Sequence, residues 1–150
     1  MPRSRSDFSY LSALRMALGA LWLYAPSDKL NFEFINEGIN EVLNYMISGV
    51  PAGESCECFP PSAFFPWYAE FLRAVVLPNS AVFAALVLSG EILIGLSLLL
   101  GLFTNLGAFA GAIMSINFFF GAGWTSPDNA MLNLLMVAVQ SVVLLSPEAK

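Results

Sequence analysis

AVFAALVLSGEILIGLSLLLGLF, residues 81–103, holds one ionisable side chain, Glu91, in an otherwise apolar run. A hydrocarbon core about 30 Å thick is crossed by roughly 20 helical residues, so this stretch reads as a membrane span. The pattern repeats downstream. Asn105–Gly123 carries no charge, and Ala130–Leu145 is a shorter run closed by Ser146 and Pro147, where the proline disfavours further helix. Upstream, Phe8–Ala25 accommodates Arg15 among leucine and alanine and ends near Trp22 and Tyr24, which reads as a further span. A cleaved signal sequence is the competing reading, because Arg3 and Arg5 precede the run. Arg15 interrupts it, however, and Ala25-Pro26-Ser27 makes a poor cleavage site. The expected fold is all-α: one domain over 1–150, an integral membrane four-helix bundle with spans at about 8–25, 81–103, 105–123 and 130–145, and an extramembrane amphipathic helical segment at 26–79.

Composition agrees with that reading and removes several functions. The 150 residues are 57% hydrophobic and 11% charged, against roughly 25% charged in ordinary soluble domains. The net charge of −5, with no basic run, offers no grip on a phosphate backbone, so nucleic acid is not an expected partner. Histidine is absent, which removes the commonest general base and metal ligand. The two cysteines, Cys56 and Cys58, cannot complete a four-ligand metal site from this chain, so no metal is assigned.

Charge also orients the spans. Arg3 and Arg5 precede the first and Lys150 follows the last, so both termini are expected on the cytoplasmic side. The intervening segment, Pro26 to Asn79, then lies outside with seven acids, Asp28, Glu33, Glu37, Glu41, Glu54, Glu57 and Glu70, against Lys29 and Arg73. Trp22, Trp67 and Trp124 all fall near the outer interface in this topology, where indole rings settle. Within the segment, Phe32, Ile35, Ile39, Val42, Leu43 and Met46 follow a helical period over Asn31–Ser48, with acids and asparagines opposite. A second short helix is expected from near Ser62, with Pro66 in its first turn and its end before Pro78. The amphipathic helix reads as a cap on the bundle or as a surface for another protein; acidic helices are repelled by anionic headgroups.

Several residues carry a resemblance. Arg15 and Gly19 lead to Lys29-Leu30; Gly90-Glu91-Ile92-Leu93-Ile94-Gly95-Leu96 runs into Leu100-Gly101-Leu102-Phe103-Thr104; Asn117-Phe118-Phe119-Phe120 and Gly123-Trp124 follow. This pattern resembles the DoxX and DoxD family of small four-helix membrane proteins, and most closely the DoxD type, the small subunit of thiosulfate:quinone oxidoreductase. The resemblance covers most of the chain except the stretch around Cys56. Asn105 stands where the family often has a basic residue, which weakens any anion contact there. The resemblance implies an electron-transfer membrane subunit associated with quinone, with redox partner chains and a prokaryotic cytoplasmic membrane as its setting.

Depth along the spans supplies an independent clue. Counted at 1.5 Å per residue from Phe103, Asn105 and Leu145, the side chains of Glu91, Asn117 and Asn133 each lie about 18 Å deep. Arg15, about 10 Å deep, could reach toward Glu91 with its long side chain. An isolated charge in hydrocarbon costs about 3 kcal/mol or more, so such groups face the interior, a polar cavity or an opposite charge. Arg15, Glu91, Asn117 and Asn133 are therefore candidates for a quinone-headgroup or proton site, with Glu91 exchanging protons. The bland reading is a structural polar knot that fixes helix register. Gln140, seven residues after Asn133, shares its face and is expected inward. Gly107, Gly111 and Ser115 form a smooth stripe for helix packing, and Phe118-Phe119-Phe120 reads as lipid or helix contacts rather than a ligand wall.

Cys56-Glu57-Cys58 allows a strained, labile disulfide or exchange with a sulfur compound, against the plainer reading of a local structural pair. Cys56, Cys58 and Glu91 are thus the weak catalytic candidates. The expected function is a subunit of a quinone-linked electron-transfer complex, anchoring partners and lending part of a quinone pocket, with catalysis residing in a partner. A non-catalytic accessory subunit of a larger respiratory or photosynthetic complex is the alternative, and a solute or proton pathway ranks third. Membrane lipid and other subunits are the expected partners.

Overall fold

The computed structural model describes residues 5–27, 39–48, 65–123 and 127–146. Every regular element among them is helical: α1 (Arg5–Tyr24), α2 (Ile39–Ser48), α3 (Pro66–Phe71), α4 (Ser80–Leu100), α5 (Thr104–Ala122) and α6 (Pro127–Leu145). Among the described residues, three helical runs are long and apolar enough to cross a membrane: Pro66–Leu100, Thr104–Ala122 and Pro127–Leu145. Their flanks expose large side chains such as Leu86, Leu93, Leu106, Leu132 and Leu135. Apolar surface spread over whole helix faces has no place in water and matches a lipid solvent. The chain is a multi-pass integral membrane protein.

Packing runs in a sequence of seams, α1 on α4, α4 on α5 and α5 on α6, with α6 touching α1. Small residues set the first seam. A Cβ added at Gly19 would lie 2.6 Å from the Leu99 backbone nitrogen and 2.9 Å from the Gly95 carbonyl oxygen, so α1 and α4 meet backbone to backbone. Membrane helices gain little from the hydrophobic effect between them, and close approach through glycine substitutes dispersion contacts. The Gly107–Gly111–Ser115 stripe behaves as expected: Gly107 faces Ser97 and Leu98 of α4, Gly111 faces Ile94 and the Gln140 amide, and all three are buried.

Between α4 and α5 the chain reverses in three residues. Gly101 caps α4 at φ 74° and Phe103 opens α5 at φ 53°, both left-handed. Glycine adopts that conformation freely, whereas phenylalanine does so at a cost of about 1–2 kcal/mol. The Ser97 hydroxyl donates to the Leu102 carbonyl at 2.6 Å and lies 3.2 Å from that of Phe103, tying the turn to α4.

Three details depart from the sequence expectations. The helix containing Pro66 does not stop before Pro78: Leu72–Val76 form a π turn and Leu77–Asn79 a 3-10 turn, leading directly into α4. Pro78 removes one backbone donor, and the neighbouring Asn79 side-chain amide donates to the Val75 carbonyl at 3.0 Å. Trp22 is not an interfacial anchor; it is 3% exposed, with its ring 6.4 Å from that of Phe118, because its face of α1 points at α4 and α5. Trp67 is exposed, and Trp124 lies outside the described residues. Finally, α6 starts at Pro127, with proline and Asp128 in its first turn suiting a helix N-terminus. Of the expected amphipathic helix only Ile39–Ser48 is described; Leu43 and Ile47 pack on Leu72, Val76 and Ala84.

Candidate functional site

Helix register assembles a polar level inside the protein. Gly90 of α4 faces Met114 of α5, and Gly111 of α5 faces Ile94 of α4, a register that sets Glu91 level with Ile113 and Met114 and within one turn of Ser115. Ser115 in turn accepts a hydrogen bond from the Gln140 amide at 3.3 Å. Glu91, Ser115 and Gln140, from three different helices, are 0%, 1% and 0% exposed. Polar atoms buried without a hydrogen-bond partner among the described residues include the Gln140 Oε1 and Asn105 Oδ1 acceptors and the Trp22 Nε1 and Arg15 Nε donors. Buried polar groups normally pair, and unmatched ones mark strain or function.

The four candidates from the sequence separate. Glu91 enters this interior level. Asn117 is exposed, and its amide donates to the Ile113 carbonyl of its own helix at 2.9 Å. Asn133 is half-buried and donates to the Asn129 carbonyl at 2.8 Å; it sits about 10 Å along α6 from Gln140. Arg15 does not meet Glu91. Its guanidinium lies against Gly101, where an added Cβ would come within 2.6 Å of it, ten residues or about 15 Å along α4 from Glu91. A cation there lies at the C-terminal end of α4, where the negative end of the helix dipole favours positive charge. The α4 C-terminus, invisible to a depth count, decides where Arg15 goes.

Sequence reasoning named Gln140 as inward-facing but read Ser115 as packing alone. The signal for their bond was the small-residue stripe itself, since a hydroxyl in a glycine seam is positioned to meet a polar side chain on the opposing helix. Cys56 and Cys58 lie outside the described residues.

A second feature is apolar. A cleft of about 850 Å³ runs between α4 and α5, roofed at one end by Leu43 and Met46 of α2 and by Tyr68 and Phe71 of α3, and reaching Phe103 and Leu106 at the other. The Tyr68 hydroxyl donates to the Asn117 carbonyl at 3.2 Å beneath that roof. Phe120 binds the roof to α5 through edge contacts with Phe65 at 4.9 Å and Trp67 at 5.3 Å. The Phe118–Phe120 run thus serves helix contacts, with Phe118 alone bordering the cleft.

Neither a curated protein nor a solved structure matches the chain. A family profile described as "TQO small subunit DoxD" matches residues 10–150. With nearly the whole length matched, including α1, the three apolar runs and the interior glutamate, the chain belongs to the DoxD family, the small subunit of thiosulfate:quinone oxidoreductase.

Proposed function

We propose that the chain is the four-span membrane anchor of a thiosulfate:quinone oxidoreductase and lends part of its quinone pocket. In this reading α1 crosses the membrane with α4, α5 and α6, both termini are cytoplasmic, and α2 and α3 lie at the outer surface. Electrons come from a partner chain that oxidises the sulfur substrate. Quinone, when bound, accepts two electrons and two protons. The chain's own part in that chemistry is to place hydrogen-bonding groups and to hold a proton within hydrocarbon at the Glu91 carboxyl.

The observation that carries the reading is Glu91 itself, wholly buried on an apolar span in a family of quinone oxidoreductase subunits. Ionisable groups inside a membrane are expensive and usually belong to a substrate or proton route. Glu91→Gln keeps the size and hydrogen-bonding capacity of the side chain but cannot ionise. The expected outcome is an assembled complex with thiosulfate-dependent quinone reduction lowered and its pH dependence altered. Unchanged turnover and an unchanged pH profile in an intact complex would remove Glu91 from the mechanism.

The broad exposed face of α6, with Met131, Leu132, Leu134 and Leu135, is open equally to lipid and to the span of another subunit. An accessory subunit filling a larger respiratory or photosynthetic assembly would use the same face, and would leave turnover intact when the chain is deleted.

A further inference from the structure

We infer that the cleft between α4 and α5 is where an isoprenoid quinone enters from the lipid, its ring under α3 beside Tyr68 and Asn117 and its tail along the seam toward Leu106. This deepens the quinone-linked reading and rests on it, but a different set of residues carries it than the interior level around Glu91.

Shape comes first. Between Leu106 and Phe118 the α5 wall extends about 18 Å, more than half of a hydrocarbon core. At about 850 Å³ the space is in the range of sites that bury most of a small ligand. Its lining is apolar along its length, through Val87, Leu93, Ala110 and Ile113, and no charged side chain among the described residues borders it. Three polar side chains do. Ser97 is committed to the α4–α5 turn, leaving Tyr68 and Asn117 together at one end. One polar end and one long apolar end describe a head-and-tail molecule.

The roof selects among such molecules. A transmembrane helix of another subunit would have to continue past the polar end into water, and α2 and α3 close that path. An occupant must therefore finish inside the membrane. A phospholipid would set a phosphate beside Tyr68 and Asn117, where no cationic side chain among the described residues lines the cleft; Arg73, the basic residue of that segment among those described, bonds Glu70 at 3.3 Å. A quinone head is uncharged, flat and rich in acceptors. Phe71, Tyr68 and Phe118 offer aromatic walls for its ring. The Asn117 amide uses one proton on Ile113 and has a second to donate. The Tyr68 hydroxyl, now on the Asn117 carbonyl at 3.2 Å, is a rotor whose proton can turn to a quinone oxygen.

The test is photolabelling of the full chain in its isolated complex with two probes. One is a decyl benzoquinone carrying an azide on the ring; the other carries a diazirine at the end of the tail. The expected result is ring label on peptides containing Met46, Tyr68 or Asn117, and tail label on those spanning Ser97 to Gly107. Ala110→Trp and, independently, Ile113→Trp each fill the cleft and should lower both yields about tenfold, within the cost of overpacking a filled site. Leu135→Trp, on the far face of α6, should not. Labelling spread over α6, equal competition by excess phosphatidylglycerol, or yields unmoved by both cleft variants in folded complexes overturns the assignment. Label recovered at another place on the chain, with quinone reduction dependent on the chain, rejects the cleft but keeps the quinone-linked reading. Quinone reduction that persists after deletion of the chain rejects that reading as well.

Discussion

Gly19→Ala should loosen the protein although it adds one methyl group to a helix. Ordinarily this change gains up to about 1 kcal/mol of helix propensity. At Gly19 the new Cβ lies 2.6 Å from the Leu99 nitrogen and 2.9 Å from both the Leu99 Cα and the Gly95 oxygen, all backbone atoms. No rotamer can relieve that contact; reaching an ordinary carbon contact of about 3.5 Å requires α1 and α4 to part by nearly 1 Å. Overpacking costs about 1–3 kcal/mol, and rigid backbone on both sides argues for the upper half. After the propensity gain, a net loss of about 1–2 kcal/mol remains, or about 5- to 30-fold in the unfolding equilibrium. Gly90→Ala is the matched control, because its Cβ would meet only the end of the Met114 side chain at 2.9 Å, which can swing away. That variant should match the wild type or exceed it. Unfolding in mixed micelles with rising SDS, followed by tryptophan fluorescence to which the buried Trp22 contributes, supplies the comparison. Equal losses at both positions, or a gain at Gly19, would refute backbone contact as the basis of the α1–α4 seam.

Gln140→Leu is predicted to leave stability within about 1 kcal/mol of wild type, because it removes one long hydrogen bond and one unpaired buried acceptor together; a loss above about 2 kcal/mol on the same assay would show that the amide does more than the Ser115 bond. For topology, Val42→Cys in a background with Cys56 and Cys58 replaced by serine should react with an impermeant maleimide from the outer face of sealed membranes. A tag at either terminus should be reachable only from the inner face. Termini on opposite sides would mean that α1 does not cross.

The spans were legible because lipid is an undemanding solvent: Ala81–Phe103 needs only length and the near-absence of charge to be recognised, and α4 ends at Leu100, with Gly101–Phe103 turning the chain before α5 begins at Thr104. What sequence could not supply was direction around each helix. Glu91, Asn117 and Asn133 share a depth by counting, yet depth fixes only one coordinate. Rotation sends Glu91 inward, Asn117 to the end of the cleft between α4 and α5, and Asn133 onto the Asn129 carbonyl one turn earlier in α6. Arg15 followed a helix terminus rather than the nearest opposite charge in sequence-derived depth. Trp22 illustrates the same limit, since an indole near a span end is an anchor or a core residue according to the face it occupies. The cleft is legible least of all, being assembled from α2, α3, α4 and α5 at once.

The most direct measurement is isolation of the tagged chain from its native membrane in mild detergent, with identification of co-migrating chains, extraction of quinone and assay of thiosulfate-dependent quinone reduction on one fraction. A quinone-linked anchor subunit predicts a sulfur-oxidising partner in fixed ratio, extractable quinone and activity that is lost when the chain is deleted. Recovery inside a larger assembly that lacks such a partner, without quinone reduction and with the assembly's activity unaffected by the deletion, would contradict it.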